Sequence, residues 1–331
     1  MTVSTLSVQG LKISVPTDEG RARILDFVDF DLPRGHVLGI AGESGCGKST
    51  LIKTILGILP RQAVVDAGSI WFRGTDLLTL SRDEMRRRIR GSGIGFIPQD
   101  PYLALNPVFK VGKQLMEILV WNGMPGEAPD GRLTRAKARR YREHLVKLLR
   151  QVQVPDPEDA LERYPHQFSG GQRQRLLIAA ALASQPELIL ADEPTTALDV
   201  TTQMQILKLL KELVEEFEAS MLFVTHDFGV LAQVCDSVSV MYAGQTIESG
   251  RAASVIGAPL HPYSRRLIAC HPERSADIAG IAGQVPSPLA PPDGCRFNPR
   301  CEQAMPACSA RRPPLARTDA GENRVACVLY E

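Results

Sequence analysis

The run Gly42-Glu43-Ser44-Gly45-Cys46-Gly47-Lys48-Ser49-Thr50 fits the phosphate-loop pattern G-x-x-x-x-G-K-[ST]. A continuous apolar run at residues 37–41 precedes it and predicts a buried strand. Residues 49–59 follow it with apolar side chains at helical spacing, and Pro60 predicts the end of that helix. Strand, glycine-rich loop and helix in this order indicate a nucleoside triphosphate site rather than a chance glycine turn before a helix.

The phosphate loop supplies the candidate ligands for the triphosphate. Its glycines let backbone N–H groups approach phosphate at a helix N-terminus, and Lys48 adds a positive charge for the β- and γ-phosphates. The Ser49 hydroxyl is a candidate Mg²⁺ ligand, and Thr50 can reach the α-phosphate. The candidate phosphate-binding residues are Gly42, Ser44, Gly45, Cys46, Gly47, Lys48, Ser49 and Thr50.

Two carboxylates end another apolar run, Leu188-Ile189-Leu190-Ala191-Asp192-Glu193. The run predicts a short buried strand of a parallel sheet. A carboxylate at its end, Asp192, can hold Mg²⁺ directly or through water. A solvated acidic turn before Pro194 is the alternative, and the other nucleotide motifs of the chain make it the weaker one.

Two further motifs complete an ordered set. The chain presents the phosphate loop, then Ser169-Gly170-Gly171-Gln172, then Asp192-Glu193 and finally Thr225-His226-Asp227. This order resembles the ATPase subunits of ABC transporters. The resemblance implies that Glu193 is the general base that polarises the water attacking the γ-phosphate.

The same resemblance assigns roles that single residues could not establish. Gln99 follows a predicted strand end and matches the Q-loop glutamine, which meets Mg²⁺ and reports the γ-phosphate to the neighbouring helical subdomain. His226 matches the switch histidine that lies against the γ-phosphate. A lone glutamine after a strand is usually a surface residue and a lone histidine is more often structural, so both roles depend on the family.

The resemblance also implies a second ATPase subunit. In this family Ser169, Gly171 and Gln172 start a helix and cap the γ-phosphate that is bound by the partner subunit. Ala197-Leu198-Asp199 matches the D-loop that joins the two halves. The chain has one phosphate loop, so we expect another chain to supply the other half of each site.

Adenine recognition departs from the family pattern. The family stacks the base on an aromatic residue near the first strand, but residues 12–16 contain no aromatic ring. Val15 could pack against the base, or Arg21 or Arg23 could stack on it.

Length and composition limit the class of protein. The chain has 331 residues, enough for one large domain with an appendage, and 38 Lys and Arg against 37 Asp and Glu give a net charge of +1. This balance argues against a protein that coats nucleic acid. The apolar runs are too short to span a bilayer, and the N-terminus lacks the pattern of a signal peptide, so we expect a cytosolic protein.

We expect an α/β phosphate-loop ATPase core of the ABC type at residues 1–250. It would contain an antiparallel β portion at the N-terminus, with short strands broken by turns, and a helical subdomain at about residues 100–185. Residues 251–331 form the second predicted region, a small proline-rich tail that contains the cysteine cluster Cys295, Cys301, Cys308 and Cys327.

The tail resembles that of one group within the family. His261-Pro262-Tyr263-Ser264-Arg265-Arg266-Leu267 and Gly294-Cys295-Arg296-Phe297-Asn298-Pro299-Arg300-Cys301 match segments of the oligopeptide, dipeptide and nickel importers. Residues 58–71 and 106–108 favour the D-type member of the paired ATPases of these importers. In a reducing cytosol a cysteine cluster suits a metal better than disulfides. Four cysteines without an interleaved histidine suit either a [4Fe–4S] cluster or structural Zn²⁺. The resemblance to peptide importers, some of which carry an iron–sulfur cluster in this tail, implies a structural [4Fe–4S] cluster, with Zn²⁺ or free thiols as alternatives.

These expectations converge on an ATP- and Mg²⁺-dependent subunit that energises import of peptides or a related small solute. Its expected partners are a second ATPase subunit, two membrane permease subunits and an extracytoplasmic solute-binding protein, at the cytoplasmic face of the inner membrane. A soluble ABC-type ATPase of DNA repair or translation is one alternative. A non-hydrolysing regulatory subunit is another.

Overall fold

The computed structural model describes residues 4–270, 280–318 and 323–331. The chain divides into two compact units, here called the first unit (Met1–Thr79 with Leu222–Glu331) and the second unit (Leu80–Met221). No helix within the described ranges is both long and apolar enough to cross a lipid bilayer.

The N-terminal part of the first unit is an antiparallel sheet followed by the phosphate-loop segment. Its elements are β1 (Ser4–Thr17), β2 (Gly20–Pro33), β3 (Val37–Ala41), α1 (Lys48–Ile55), β4 (Val64–Phe72) and β5 (Thr75–Asp76), followed by a 3₁₀ turn at Leu77–Thr79. Strands β2, β1, β4 and β5 pair in that order, all antiparallel. The predicted antiparallel portion is therefore confirmed.

Strands β1 and β2 are longer than the sequence pattern predicted, with 14 residues each. Around Gly10 the ladder has a shift of register between Val8 and Leu11, but the strand continues through it. A bulge absorbs the extra residue without ending the ladder, so the apolar residues on either side remain buried on one face.

The second unit is mainly helical. Its elements are α2 (Arg82–Glu84), which continues as a π turn at Met85–Ile89, β6 (Ile94–Ile97), α3 (Val111–Asn122), α4 (Arg135–Gln151), α5 (Pro157–Ala160), a 3₁₀ turn at Pro165–Gln167, α6 (Gly170–Leu182), β7 (Leu188–Asp192), α7 (Val200–Glu216) and β8 (Ser220–Val224), which continues into the first unit. Strands β6 and β7 are parallel, with Ile94 beside Leu188 and Ile97 beside Ala191. Every residue of β7 is buried, as its continuous apolar sequence predicted.

The C-terminal part of the first unit contains short elements. They are α8 (Phe228–Val234), β9 (Ser237–Tyr242), β10 (Gln245–Arg251), α9 (Ala252–Gly257), α10 (Pro262–Ala269), a 3₁₀ turn at Asn298–Arg300, α11 (Pro306–Ala310), β11 (Ala316–Arg317), β12 (Arg324–Val325) and a 3₁₀ turn at Val328–Tyr330. Within the first unit the strand order is β11-β12-β10-β9-β3-β8. Strand β3 lies parallel to β9, so the strand that enters the phosphate loop is an interior strand.

Candidate nucleotide site

The phosphate loop connects the end of β3 to the start of α1, as predicted. Two of its glycines have no room for a side chain. A Cβ on Gly42 would lie 2.3 Å from the carbonyl oxygen of Met241, and one on Gly47 would lie 2.5 Å from the Leu25 side chain. Both residues also have a positive φ, 154° at Gly42 and 106° at Gly47, so the path of the loop requires glycine.

Lys48 crosses the phosphate loop from the first position of α1. Its Nζ donates hydrogen bonds to the carbonyl oxygens of Gly42, at 2.7 Å, and Glu43, at 3.0 Å. These bonds hold the ammonium group, which is almost fully buried, within the curve of the loop. Ser49 and Thr50 follow on the first turn of α1, where Ser49 is exposed.

Cys46 contributes to the loop differently from its neighbours. Its side chain is buried, and burial raises the pKa of the thiol although nearby Lys48 opposes this. Its backbone N–H donates to the carbonyl oxygen of Glu43 at 3.2 Å, which closes a tight turn in the loop. Cys46 therefore stabilises the turn of the loop through its backbone, and its sulfur is buried rather than exposed to solvent.

His226 lies in the first unit directly after β8. The backbone N–H of Thr225 donates to the carbonyl oxygen of Ile40 at 3.2 Å. Ile40 belongs to β3, which enters the phosphate loop, so His226 is the residue directly after a hydrogen bond to that strand. Its side chain is exposed. Asp227 caps α8 by accepting from the N–H groups of Gly229 and Val230. The first unit thus brings the predicted switch histidine to the same strand ends as the phosphate loop.

The second unit brings together two candidate residues that are 94 positions apart. Because β6 and β7 are parallel, the residues that follow them leave the same edge of the sheet. The Gln99 side-chain amide donates to Oε2 of Glu193 at 3.2 Å. Asp192, at the end of β7, is nearly buried. The sequence placed these residues in one site only through resemblance, and the structure shows the Gln99–Glu193 contact directly.

Glu193 is held in an uncommon backbone conformation. Its φ is 46°, in the left-handed region that residues other than glycine rarely occupy. The Thr196 hydroxyl donates to the same Oε2 at 3.1 Å. Sequence reasoning missed Thr196, although a hydroxyl three residues after the carboxylate in a proline-containing turn was a usable signal. The carboxylate is therefore oriented by two donors in its own unit.

The Ser169-Gly170-Gly171-Gln172 segment begins α6, as predicted. Ser169 is the N-cap, and its Oγ accepts from the Gln172 N–H at 3.3 Å while Gln172 Oε1 accepts from the Ser169 N–H at 3.1 Å. This reciprocal pair is a capping box. A Cβ on Gly171 would lie 2.6 Å from the Thr202 side chain, so the start of α6 packs closely on the start of α7.

Asp199 performs the same capping role for α7. Its carboxylate accepts from the N–H of Thr202 at 3.0 Å and from the Thr202 hydroxyl at 2.7 Å. These hydrogen bonds lower the pKa of Asp199. The Ser169–Gln172 segment, here called the signature segment, and Asp199 of the predicted D-loop thus both contact Thr202.

The region predicted to receive adenine is an open cavity of about 360 Å³ in the first unit. Arg21 and Arg23 are among its lining residues, together with Leu25, whose side chain reaches Gly47 of the phosphate loop. Arg21 is also paired with Asp66 at 2.9 Å. Of the side chains considered from sequence for adenine, Arg21 and Arg23 line this cavity, and their role stays a prediction.

The predicted metal centre in the tail is not supported. The four cysteines, Cys295, Cys301, Cys308 and Cys327, line one small cavity with His261. Its volume is about 10 Å³, close to the smallest space that holds one water molecule. Among the described residues, no three His, Cys, Asp or Glu side chains are grouped so that they could hold a metal ion.

Burial explains the state of these cysteines in the structure. None of the four forms a disulfide, and burial raises the pKa of Cys295 to about 11. The [4Fe–4S] or Zn²⁺ centre expected in the tail therefore stays a prediction. Side chains of the tail contact distant parts of the first unit, and buried Arg296 donates to Asp26 at 2.7 Å and to the carbonyl oxygen of Ala243.

Comparison with known proteins extends these observations to the whole chain. Residues 25–196 match the family described as ABC transporter, and residues 247–308 match the family described as oligopeptide/dipeptide transporter, C-terminal region. A dipeptide transport ATP-binding protein of Bacillus subtilis (strain 168) is 44% identical over 312 residues, 93% of this chain and 90% of that protein. An oligopeptide transport ATP-binding protein of Salmonella typhimurium (strain LT2) is 42% identical over 323 residues, 96% of this chain and 92% of that protein.

A solved structure shows the same fold. A dimeric ATP-binding cassette in a post-hydrolysis state, bound to ADP and Pi, aligns with a TM-score of 0.63 at 27% identity. The alignment covers 75% of this chain and 98% of that structure.

Proposed function

The chain belongs to the ABC transporter family, and from this premise we propose that it is the ATP-hydrolysing subunit that energises import of peptides through a separate membrane permease. The observation that carries the hydrolytic role is the Glu193 carboxylate, oriented by Gln99 and Thr196 at the end of a buried strand. Peptides are the proposed substrate class because the C-terminal region and the similar transport proteins share that assignment.

The proposed chemistry divides between binding and proton transfer. Backbone N–H groups of the phosphate loop and the Lys48 ammonium bind the phosphates and stabilise the charge that develops during transfer. Glu193 orients the attacking water and accepts its proton. His226 is proposed to contact the γ-phosphate, and Gln99 to report its presence.

Mg²⁺ is expected with ATP, and the ligands proposed from the sequence carry oxygen donors of the type it prefers. Ser49 offers an exposed hydroxyl in the first unit, while Asp192 and Gln99 offer side-chain oxygens in the second. When bound, the ion would neutralise charge on the β- and γ-phosphates.

A second ATPase subunit is proposed to complete the site. The apolar side chains of Val200 and Met204, directly after Asp199 on α7, are exposed by 77% and 47%. Exposed apolar side chains beside the signature segment suit a surface that is covered in an assembly. Ser169, Gly171 and Gln172 would then meet the γ-phosphate held by the partner, and the partner's signature segment would meet the one held here.

The permease is proposed to dock on the segment that follows Gln99. Four large apolar or aromatic side chains in this segment are exposed: Tyr102, Leu103, Val108 and Phe109. Leu103 and Val108 are the most exposed, at 84% and 73%. Two pairs of exposed apolar side chains in one short segment suit a protein contact, and the proximity of this segment in sequence to Gln99 would couple that contact to the nucleotide. Two permease subunits and an extracytoplasmic solute-binding protein complete the proposed importer, with this chain peripheral at the cytoplasmic face of the inner membrane.

The alternatives considered from sequence are not favoured. A non-hydrolysing regulatory subunit would not need an oriented base, whereas Glu193 accepts two hydrogen bonds. A soluble ATPase of DNA repair or translation would not account for the match to a transporter-specific C-terminal region.

Reconstitution tests the proposal directly. The chain would be assembled with its partner ATPase and permease in proteoliposomes, and ATP hydrolysis and uptake of a labelled peptide mixture would be measured together. We expect both activities, and their loss in a matched assembly carrying Lys48→Ala. Hydrolysis without ATP-dependent peptide uptake would contradict the transport assignment, and absence of hydrolysis would contradict the ATPase assignment.

A further inference from the structure

Glu43 places a carboxylate inside a loop that is built to bind phosphate. It lies between Gly42 and Ser44, and its carbonyl oxygen accepts from Lys48 and from the Cys46 N–H. Its side chain is about one quarter exposed, at 26%. A carboxylate so close to a bound triphosphate would repel it unless the charge is neutralised and directed away.

Arg300, from the C-terminal tail, neutralises this carboxylate. Its Nη1 lies 2.9 Å from Oε2 of Glu43 and its Nη2 lies 3.2 Å from Oε1, so the pair is bidentate. The Arg300 side chain is only 3% exposed. Charge-assisted bidentate pairs fix geometry as well as adding energy, so the direction of the Glu43 side chain is set by the tail.

The guanidinium group is itself fixed by neighbouring atoms. Its Nε donates to the carbonyl oxygen of Ala282 at 3.0 Å, and Nη2 donates to that of Ile281 at 2.8 Å. Its Nη1 donates to the Tyr242 hydroxyl at 3.2 Å. Arg300 is therefore a rigid reference point for Glu43 rather than a mobile surface charge.

The backbone of Glu43 is held by a second C-terminal residue. Its N–H donates to the Tyr263 hydroxyl at 2.9 Å. Tyr263 is fully buried and packs against Tyr242, with ring centroids 4.5 Å apart, and against Phe297 at 5.4 Å. Both the main chain and the side chain of one phosphate-loop residue are thus bound by residues more than 200 positions later.

We propose that Arg300 is a positioning residue of the nucleotide site, which holds the Glu43 carboxylate away from the phosphates and neutralises it. The inference rests on the proposed nucleotide-binding role of the phosphate loop. Through Arg300 the C-terminal tail becomes part of the nucleotide site, because the charge of Arg300 changes the electrostatic potential at the phosphate loop, where the triphosphate would bind.

The test is a double-variant cycle read out as the affinity for ATP. Calorimetric titration with ATP and Mg²⁺ would compare the full chain with Arg300→Gln, Glu43→Gln and the double variant. Arg300→Gln leaves an uncompensated carboxylate beside the ligand, and we expect binding about tenfold weaker. Glu43→Gln removes the repelling charge and has the smaller effect. The double variant is expected to bind several-fold more tightly than Arg300→Gln alone, and the defect of Arg300→Gln should shrink at high salt.

Three controls keep the result interpretable. Arg311→Gln removes another arginine of the same region, one that pairs with Glu331 at the surface, and should not change affinity. Lys48→Ala must weaken binding, because otherwise the phosphate-loop assignment itself fails. If Arg300→Gln does not fold, Arg300→Lys with and without Glu43→Gln tests the positioning part of the proposal, since lysine keeps the charge but loses the bidentate fork; a smaller defect that Glu43→Gln relieves is then expected, and no relief would overturn the proposal.

Rescue by the second substitution separates positioning from a merely structural role. If Arg300 only anchored the tail, Glu43→Gln would not restore binding, and a double variant as weak as Arg300→Gln would overturn the proposal. Unchanged affinity in Arg300→Gln, with Lys48→Ala impaired, would also overturn it and leave the nucleotide-binding assignment intact.

Discussion

The phosphate loop and the C-terminal tail are both short of regular structure, but they are held in different ways. The path of the phosphate loop is set mainly by its own backbone, because its glycines fit against Met241 and Leu25 and Lys48 binds two carbonyl oxygens of the loop; at Glu43 the C-terminal part of the chain adds contacts from outside. The tail is fixed by side chains that reach distant parts of the chain, above all Arg296 to Asp26 and Arg300 to Glu43. A loop whose backbone path requires particular residues can be recognised from a local sequence pattern. A segment that is held by side-chain contacts with distant residues has no such pattern.

The largest expected effect separates binding by the phosphate loop from catalysis. Glu193→Gln removes the base but keeps Lys48, so ATP should still bind while turnover falls by about 10²–10⁴-fold. Steady-state ATPase activity of the assembled complex and ATP affinity of the chain measure the two quantities. Turnover close to that of the unmodified complex would remove Glu193 from its proposed role.

The next effect tests whether the tail depends on buried ion pairs. Arg296 is 2% exposed and its partner Asp26 is 15% exposed, so Arg296→Met takes the close cation from a mostly buried carboxylate and leaves it the longer ion pair with Lys12, at 3.7 Å. We expect the free energy of unfolding to fall by about 3 kcal/mol, measured by urea denaturation.

The double variant Asp26→Asn with Arg296→Met is the matched control, and it should be more stable than Arg296→Met alone because no buried carboxylate is left without its arginine. Equal stability of Arg296→Met and the unmodified chain would show that the tail is held by other contacts.

A third prediction concerns the incomplete site of the single chain. Because the signature segment serves a partner's γ-phosphate in the proposed assembly, the isolated chain should hydrolyse ATP slowly. Adding the partner ATPase and permease should raise the rate by about tenfold or more. Sedimentation analysis would establish the assembly state in each assay. Full activity from a demonstrably monomeric preparation would contradict the shared site.

The smallest expected effect tests the cysteine-lined cavity. With Cys301 as a free, partly buried thiol, Cys301→Ser should lower the free energy of unfolding by only about 1 kcal/mol. Thermal melting gives the stability, and iron, zinc and sulfide analysis of anaerobically prepared protein gives the metal content. A collapse of stability together with stoichiometric metal in the parent protein would show that a metal centre holds the tail after all.

Several features could be predicted from the sequence alone. The phosphate loop, its strand and its helix occur where the glycine pattern and the apolar periodicity predicted them, and α6 begins at the signature serine. The continuous apolar run at residues 188–192 correctly predicted a buried strand. Each of these depends on interactions between residues that are close in sequence, such as backbone hydrogen bonds, capping and helical spacing.

Other features required the tertiary structure. The contact of Gln99 with Glu193 exists because β6 and β7 are parallel neighbours in the sheet. The sequence of neither strand specifies which strand it pairs with. Thr196 was missed because its hydroxyl acts only in the turn that the fold imposes.

The C-terminal tail shows most clearly which contacts the sequence alone could not predict. Its cysteine cluster predicted a metal centre, which stays a prediction, while the structure shows the segment held by contacts of Arg296, Arg300 and the aromatic rings around Tyr263 that the sequence did not indicate. The sequence by itself determined the nucleotide motifs and the family, because local geometry requires particular residues at fixed spacing. Only the tertiary structure decided that Arg300 meets Glu43 across 257 positions, because an ion pair depends on where the whole chain brings two side chains together.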